Sequence, residues 1–485
     1  MTQQFFHKAL CASAAAAALM LQSGCVSVSR TIVTEPANAE PSDGVLQSDG
    51  YGYVVDLRGD NVALYHVAND VCIESTASAK ELAHYLTNDS LKPPPDGQRL
   101  HFTTTLESYP IQMRRVASVP DQCDQQTSND PVGNFDAFAA YFDAHYAFFD
   151  LYGVDWSSRI ADARTSVGPD TSDQELFAIF SELLEPIKDG HVSISAEIDG
   201  ENEKFAANRS VVGKYIRREA KRRGVARSDL NDQFLEGFWL DSIGGDILNG
   251  RGKMVADNRI QYGMMTDGIA YITFMSVAGF AGKGLGEEER DLIALQKTMD
   301  SAFELFAKRG AKAVIIDLSV NMGGYDFISR AIANRFANKR TLAYTKRAAD
   351  SSIKQPFAEH LVPYAGSRFE GPVYVLTSQA TVSGGEVLTM ALRALPNVTH
   401  VGQPTRGALS DVLEKELPNG WEITLSNEIY ADAEGELWEG RGIAPEMPMT
   451  VFGTDNLIAS HSRAVKNLAQ HIENRIGRAA ALGER

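Results

Sequence analysis

The chain has 485 residues, 44% of them apolar and 22% charged, enough for a large core divided among two or three domains. A net charge of −17 excludes the basic surface of a nucleic-acid-binding protein and any polybasic membrane patch. Of the four cysteines, Cys72 and Cys123 stand too far apart for local ligand spacing, so metal binding is not expected.

Residues 1–25 read as a targeting segment. Lys8 supplies a weak basic start, and the apolar run Ala9 to Leu21 is too short to span a bilayer. The segment ends Leu21-Gln-Ser-Gly-Cys25 and resembles a bacterial lipoprotein signal, in which the cysteine becomes the lipidated N-terminus. Gln22 stands where leucine is usual, and a plain secretory signal is the alternative. Val26 after the cysteine is similar to outer-membrane sorting. The resemblance implies an outer-membrane lipoprotein of the cell envelope facing the periplasm, held to the membrane only by lipid on Cys25; a soluble periplasmic or secreted protein is the other reading. Cys11 lies inside the signal, so export leaves Cys72 and Cys123, which read as one disulfide in an oxidising compartment.

Residues 26–48 are rich in Ser, Thr, Pro and Glu and read as a linker. Over 49–130, short runs such as Tyr53-Val-Val and Val62-Ala-Leu-Tyr are broken by Gly, Asn-Asp and Pro93-Pro-Pro, the pattern of a small β-rich N-terminal domain. Residues 133–200 form a helical subdomain. Phe135, Phe138, Phe142, Tyr146 and Phe149 make one buried stripe of a helix reaching Tyr152, with His145 beside it as a structural histidine. A second helix at Asp173–Leu184 leads to Asp189-Gly190-His191, which places His191 in a turn before the strand Val192-Ser-Ile-Ser. Residues 201–258 are polar, with a basic run from Lys214 to Arg227, and read as an insertion or cap.

From 259 to 455, strands and helices alternate, which argues an α/β layer fold with a largely parallel sheet. Ile269–Phe274 is a strand, Glu288–Arg309 a helix, and Ala313-Val-Ile-Ile-Asp317 a buried strand running into Asn321-Met-Gly323-Gly324. Helix Phe327–Phe336 and a strand at Arg340–Tyr344 follow, then the buried strand Val373–Leu376. After it, Ser383-Gly384-Gly385-Glu386 opens an amphipathic helix. Backbone N–H groups and the positive end of the helix dipole converge at Ser383, a suitable place for a nucleophile. The same residues also make a plain capping box, Ser383 with Glu386. Leu417-Pro-Asn-Gly-Trp421 is a hairpin turn, and 456–485 a C-terminal helix.

Asp189-Gly-His191, Ile315-Ile-Asp-Leu-Ser-Val-Asn-Met-Gly-Gly324, Thr381-Val-Ser-Gly-Gly-Glu386 and Glu439-Gly-Arg-Gly-Ile-Ala-Pro445 stand in an order that resembles the S41 peptidases. That family includes the C-terminal processing proteases, tricorn and the interphotoreceptor retinoid-binding proteins. The resemblance covers roughly residues 133–450 and implies a ClpP/crotonase-like core. It also implies a serine endopeptidase acting on protein or peptide through an acyl-enzyme, without metal or cofactor. Processing proteases activate their serine with a lysine, but Thr405-Arg-Gly-Ala408 has none in the matching stretch. The tricorn-like branch uses histidine and glutamate, which implies a triad of Ser383, His191 and Glu439, with Glu428, Asp432 and Glu436 as competitors for the acid. Gly190 stands where tricorn has a serine. The N–H groups of Gly384 and of Gly323 or Gly324 are implied as the oxyanion hole. The retinoid-binding members imply an alternative, a carrier of apolar ligands, and an esterase with the same triad is a third reading.

Overall fold

The computed structural model describes residues 44–482, apart from 59–61, 77–90, 93–99, 103–110, 125–126, 209–210, 283–286 and 454–455. The targeting segment and Cys25 lie outside the described residues. No helix among the described residues is long and apolar enough to cross a membrane.

The centre of the molecule is a seven-stranded sheet in which spatial order follows chain order. Its strands are β1 (Lys253–Val255), β2 (Ile260–Thr266), β3 (Ile269–Phe274), β4 (Ala313–Asp317), β5 (Val373–Thr377), β6 (Val398–Gly402) and β7 (Met447–Pro448). Strands β3 to β7 run parallel, while β1 and β2 join antiparallel at one edge. Parallel strands need crossovers, and helices α1 (Glu287–Lys308), α2 (Asp326–Ala333) and α3 (Gly384–Arg393) supply them.

Both faces of the sheet are covered, which is why β4 and β5 are apolar at nearly every position. On one face, Val314, Ile316 and Val375 pack with Phe303 of α1, Ile328 of α2 and Leu388 of α3. On the other, Ile315, Tyr374 and Leu376 pack with Trp239 and Ile243 and with Val465 and Leu468 of α4 (Leu457–Leu482). A polar relay pins α4 there: His461 Nε2 donates to Asp317 Oδ2 at 2.7 Å, and His461 Nδ1 lies 2.7 Å from Ser242 Oγ. This Ser–His–Asp chain is entirely buried, out of reach of any substrate, and its role is structural.

The segment expected as an insertion over 201–258 is not separate from the core. Its last strand, β1, pairs with β2, and its π-helical stretch Gly237–Ile247 packs under α4. Likewise the 26–48 linker overruns by four residues, because Val45–Ser48 is a strand paired on both sides. The aromatic helix expected to reach Tyr152 runs Pro131–His145 and restarts at Phe149–Tyr152. Between them the backbone turns extended at Tyr146, and the Ala147 N–H donates to Ser426 O at 2.9 Å. A tertiary hydrogen bond outweighs the helical periodicity there.

Two smaller sheets bring distant chain segments to the central one. Strand Ser193–Ile198, just after His191, pairs antiparallel with Glu422–Ser426 of the hairpin 412–426. The N-terminal seven-stranded antiparallel sheet docks on the same hairpin through Lys415, whose Nζ donates to the carbonyls of Tyr51 (2.7 Å) and Gly52 (2.9 Å) and lies over the Tyr53 ring. In that sheet Cys72 and Cys123 form a disulfide with Cα atoms 5.0 Å apart. The bridge closes a loop of 51 residues, so its removal is expected to cost about 4 kcal/mol in the chain-entropy model. Chemical denaturation of the Cys72→Ser, Cys123→Ser variant measures this, and an unchanged midpoint would contradict it.

Candidate active site

Beyond β5 the chain makes a short parallel pairing, Ala380–Thr381 with Val320–Asn321, which lays the two glycine turns side by side. Ser383 follows at φ +56° and ψ −127°, a conformation costly for a residue with a Cβ and held only when the surroundings over-determine it. Here they do. The Ser383 N–H donates to Ala408 O at 3.0 Å and to Glu386 Oε2 at 3.2 Å. The opposite turn must come very close: a Cβ on Gly323 would lie 2.7 Å from Ser383 Cβ, and one on Gly384 2.5 Å from Gly324 O.

The Gly323 N–H is committed, donating to Asn321 Oδ1 at 2.9 Å, while Asn321 Nδ2 donates to Phe274 O. The N–H groups of Gly324 and Gly384 have no acceptor among the described residues. Of the two glycines left open by the sequence, Gly324 is therefore the one free to pair with Gly384. The Gly384 N–H also opens helix α3, so the dipole adds to its pull on an anion.

His191 is held by its neighbours on both sides. Asp189, fully buried, takes the His191 N–H on Oδ1 (2.8 Å) and the Tyr146 hydroxyl on Oδ2 (3.0 Å). Thr424 Oγ1 donates to His191 O at 2.6 Å. The ring is buried, and Nδ1 has no hydrogen-bond partner. Burial pushes the imidazole below its usual pKa; Asp189 and the Ser410 backbone oppose this and Arg406 reinforces it, so the base form is favoured. The serine and histidine segments meet at Ala408. Its carbonyl accepts from Ser383, and its Cβ would be 2.8 Å from a Cβ on Gly190, where Arg406 Nε also crowds at 3.0 Å. A serine at position 190 would meet both.

Among the four acids considered, only Glu439 enters this cluster. Glu428 takes the Tyr51 hydroxyl and lies 3.5 Å from Lys346 Nζ. Asp432 caps its own turn and accepts from Trp438 Nε1 at 2.7 Å, and Glu436 pairs with Arg441 at the surface. Glu439 is buried, with Oε2 accepting the Leu409 and Ser410 N–H groups at 2.9 Å each. Its Oε1 accepts nothing. Burial, then the charges of Asp189 and Glu386, push its carboxyl well above the usual range, opposed by those two N–H bonds.

Residues that the motifs did not single out complete the site. Glu386, recognised in sequence only as a capping partner, is the hub of the 405–408 loop. Its Oε1 takes Thr405 Oγ1 (2.6 Å) and the Gly407 N–H (2.7 Å), and its Oε2 takes the Ala408 (2.9 Å) and Ser383 N–H groups. Arg406 donates through Nη2 to Asn208 O, and Tyr146 and Tyr152 border the acids. Tyr146 had only its place in the aromatic stripe as a signal, and Tyr152 had none.

Fold and site together define an α/β protein with a largely parallel central sheet and a serine at a strand-to-helix elbow. Residues 268–449 match the model of peptidase family S41. Over 151 residues it is 27% identical to the carboxy-terminal processing protease CtpA of Bacillus subtilis (strain 168). That match covers 31% of each chain, so the chain spans about a third of that relative's length. The structure is similar to that of a candidate peptidase from Parabacteroides merdae ATCC 43184, at 24% identity and a TM-score of 0.54, over 71% of this chain and 96% of that one. It is also similar to mature CPAF in complex with lactacystin, at 11% identity and a TM-score of 0.50, over 71% and 98%. Both of these likenesses are of fold.

Proposed function

We propose that the protein is a serine peptidase that cleaves protein or peptide substrates through an acyl-enzyme on Ser383. The observation that carries this reading is the strained Ser383 elbow, with two acceptor-free N–H groups, Gly324 and Gly384, flanking it. Neutral His191 takes the Ser383 proton as Oγ attacks the scissile carbonyl. The oxyanion settles between the Gly324 and Gly384 N–H groups at the start of α3. The ionised Glu439 carboxylate stabilises the imidazolium charge, and His191 then passes the proton to the leaving amine. Water, deprotonated by His191, releases the acyl group. Digestion of a peptide library in H₂¹⁸O tests this: one new carboxyl labelled per cleavage is expected from the wild type and none from Ser383→Ala. A wild type that leaves every peptide intact contradicts it.

We also propose that the enzyme is carried on the periplasmic side of the outer membrane by lipid on Cys25. In a bacterial host, Cys25→Ser is expected to move the protein from the membrane to the soluble fraction. Unchanged fractionation, with no lipid adduct by mass spectrometry, would contradict the anchor.

A further inference from the structure

The helix Val211–Arg223 carries Lys214, Arg217, Arg218, Lys221, Arg222 and Arg223 against one acid, Glu219, in a chain whose net charge is −17. Arg222 and Arg223 are both paired with Glu219. Lys214, Arg217, Arg218 and Lys221 are exposed and form no ion pair among the described residues. Spaced i, i+3, i+4 and i+7, these side chains make one stripe along the helix. Val212, Ile216 and Ala220 lie on the opposite face and are buried.

Helix formation does not account for the stripe. Like charges four positions apart, Lys214 with Arg218 and Arg217 with Lys221, repel each other. Lys214 also stands in the first turn, where the helix dipole disfavours a cation. A surface that breaks local rules with no compensation inside the chain is the expected mark of a binding function.

The stripe starts beside the active site. Strand Glu201–Ala206 pairs with Ser193–Ile198, and the Ala207 N–H donates to Val192 O at 3.0 Å, next to His191. Asn208 is clamped there: its Nδ2 donates to Lys188 O at 2.8 Å, and its carbonyl accepts from Arg406 Nη2 at 2.7 Å. From Asn208 to the first residue of the helix is three peptide units, a reach of at most about 11 Å. On the inner side, Val212 and Ile216 share an apolar cluster with Val320, Met322 and Ala380, from the paired segments that lead to Gly323 and Ser383. Arg406 carries the positive charge inward. It packs against Gly190, its Nε has no partner, and it forms no ion pair among the described residues.

We propose that the stripe of Lys214, Arg217, Arg218 and Lys221 docks an acidic stretch of the substrate polypeptide, so that the enzyme prefers substrates with an acidic segment close to the cleavage point. The proposal rests on the peptidase reading for what becomes of the bound chain, but not for the docking. Charge complementarity makes the partner anionic, and the stripe's origin at the His191 segment makes it the substrate. Lys214 to Lys221 rises roughly 10 Å along the helix, the length of about three residues of extended chain.

The test uses two labelled peptides that share a central sequence from the peptide library, one flanked by glutamates and the other by glutamines. At low ionic strength the glutamate peptide is expected to show a kcat/KM about 10-fold higher, carried by KM. The preference should vanish as salt shortens the screening length from about 30 Å at 0.01 M to about 3 Å at 1 M. The combined variant Lys214→Gln, Arg217→Gln, Arg218→Gln, Lys221→Gln keeps good helix formers. It should lose the preference and leave kcat/KM for the glutamine peptide unchanged, which reports an intact fold. A wild type without the preference, or a combined variant that keeps it, overturns the proposal. Vesicles rich in phosphatidylglycerol are the competing occupant. If the substitutions release the protein from such vesicles and leave the peptide preference untouched, the stripe faces lipid and the proposal fails. Binding is read apart from cleavage in Ser383→Ala, where fluorescence anisotropy should give the glutamate peptide a Kd about 10-fold tighter, and the combined variant should remove that difference. If the wild type cleaves nothing while the difference in Kd is seen, the peptidase reading fails and the docking stands. If the enzyme is active and the two peptides bind and react alike, the docking fails and the peptidase reading stands.

Discussion

Ser383→Ala and His191→Ala are each expected to lower kcat/KM by about 10,000-fold or more, and the double variant by no more than the larger single loss. Nucleophile and base act as one unit, so once either is gone the other has nothing to do. What survives is the binding and the pull of the Gly324 and Gly384 N–H groups, which neither substitution touches. Ser383→Ala should leave stability close to that of the wild type, since alanine keeps the backbone hydrogen bonds at 383 and the strain of the position applies to any Cβ. Glu439→Gln should cost less than either, because it leaves a serine and a base that is merely less well held. The rate should fall as the pH drops through the ionisation of the His191–Glu439 pair. Burial favours the neutral imidazole and lowers its pKa, while the raised Glu439 carboxyl pulls the proton-free state of the pair to higher pH. Steady-state kinetics of the four proteins across pH checks all of this, and additive losses in the double variant would contradict it.

The second large effect is expected at Glu386, and it combines stability with activity. Glu386→Gln keeps the shape, but its amide NH₂ must replace one of two oxygens that each accept two hydrogen bonds. Either Thr405 and Gly407 or Ala408 and Ser383 then face a donor. Two unmade buried bonds cost on the order of 3 kcal/mol. The loop that carries Ala408, Leu409 and Ser410 also loses its anchor, and those residues hold Ser383 and Glu439. Misplacing the reacting groups by about 1 Å lowers turnover on the order of 100-fold. A variant with wild-type denaturation midpoint and wild-type kcat would show that Glu386 is no more than a helix cap.

The central sheet is legible in sequence because burial on both faces leaves a signature in each strand separately: Val373 to Leu376 and Ala313 to Ile316 are apolar throughout. The serine turn is legible for a similar reason, since strand, glycines and amphipathic helix follow one another within 21 residues, Val373 to Arg393. What periodicity does not carry is who meets whom. His191 reaches the site because Ser193 and Thr424, 231 positions apart, are partners across two strands. Nothing local to either strand states that pairing. The break after His145 is hidden for the same reason: its cause is the carbonyl of Ser426, not the residues of the helix. Hydrogen-bond saturation is also invisible. Only coordinates reveal that Asn321 consumes the Gly323 N–H, or that Asp189 and Glu386 are full while Glu439 is not. The basic run at 214–227, by contrast, is legible without any long-range pairing. It lies on the helices Val211–Arg223 and Arg227–Glu236, where Arg222 and Arg223 pair with Glu219 at the surface.

The central claim is that Ser383 is a nucleophile activated by His191, and a fluorophosphonate probe tests it most directly. Incubation of the full chain with the probe, digestion and mass spectrometry should give a single phosphonyl adduct on Ser383. Its rate of formation should fall with the acid limb of the pH profile, and no adduct should form in His191→Ala. An adduct on another residue, or a Ser383 adduct that forms equally fast without His191, would contradict the account.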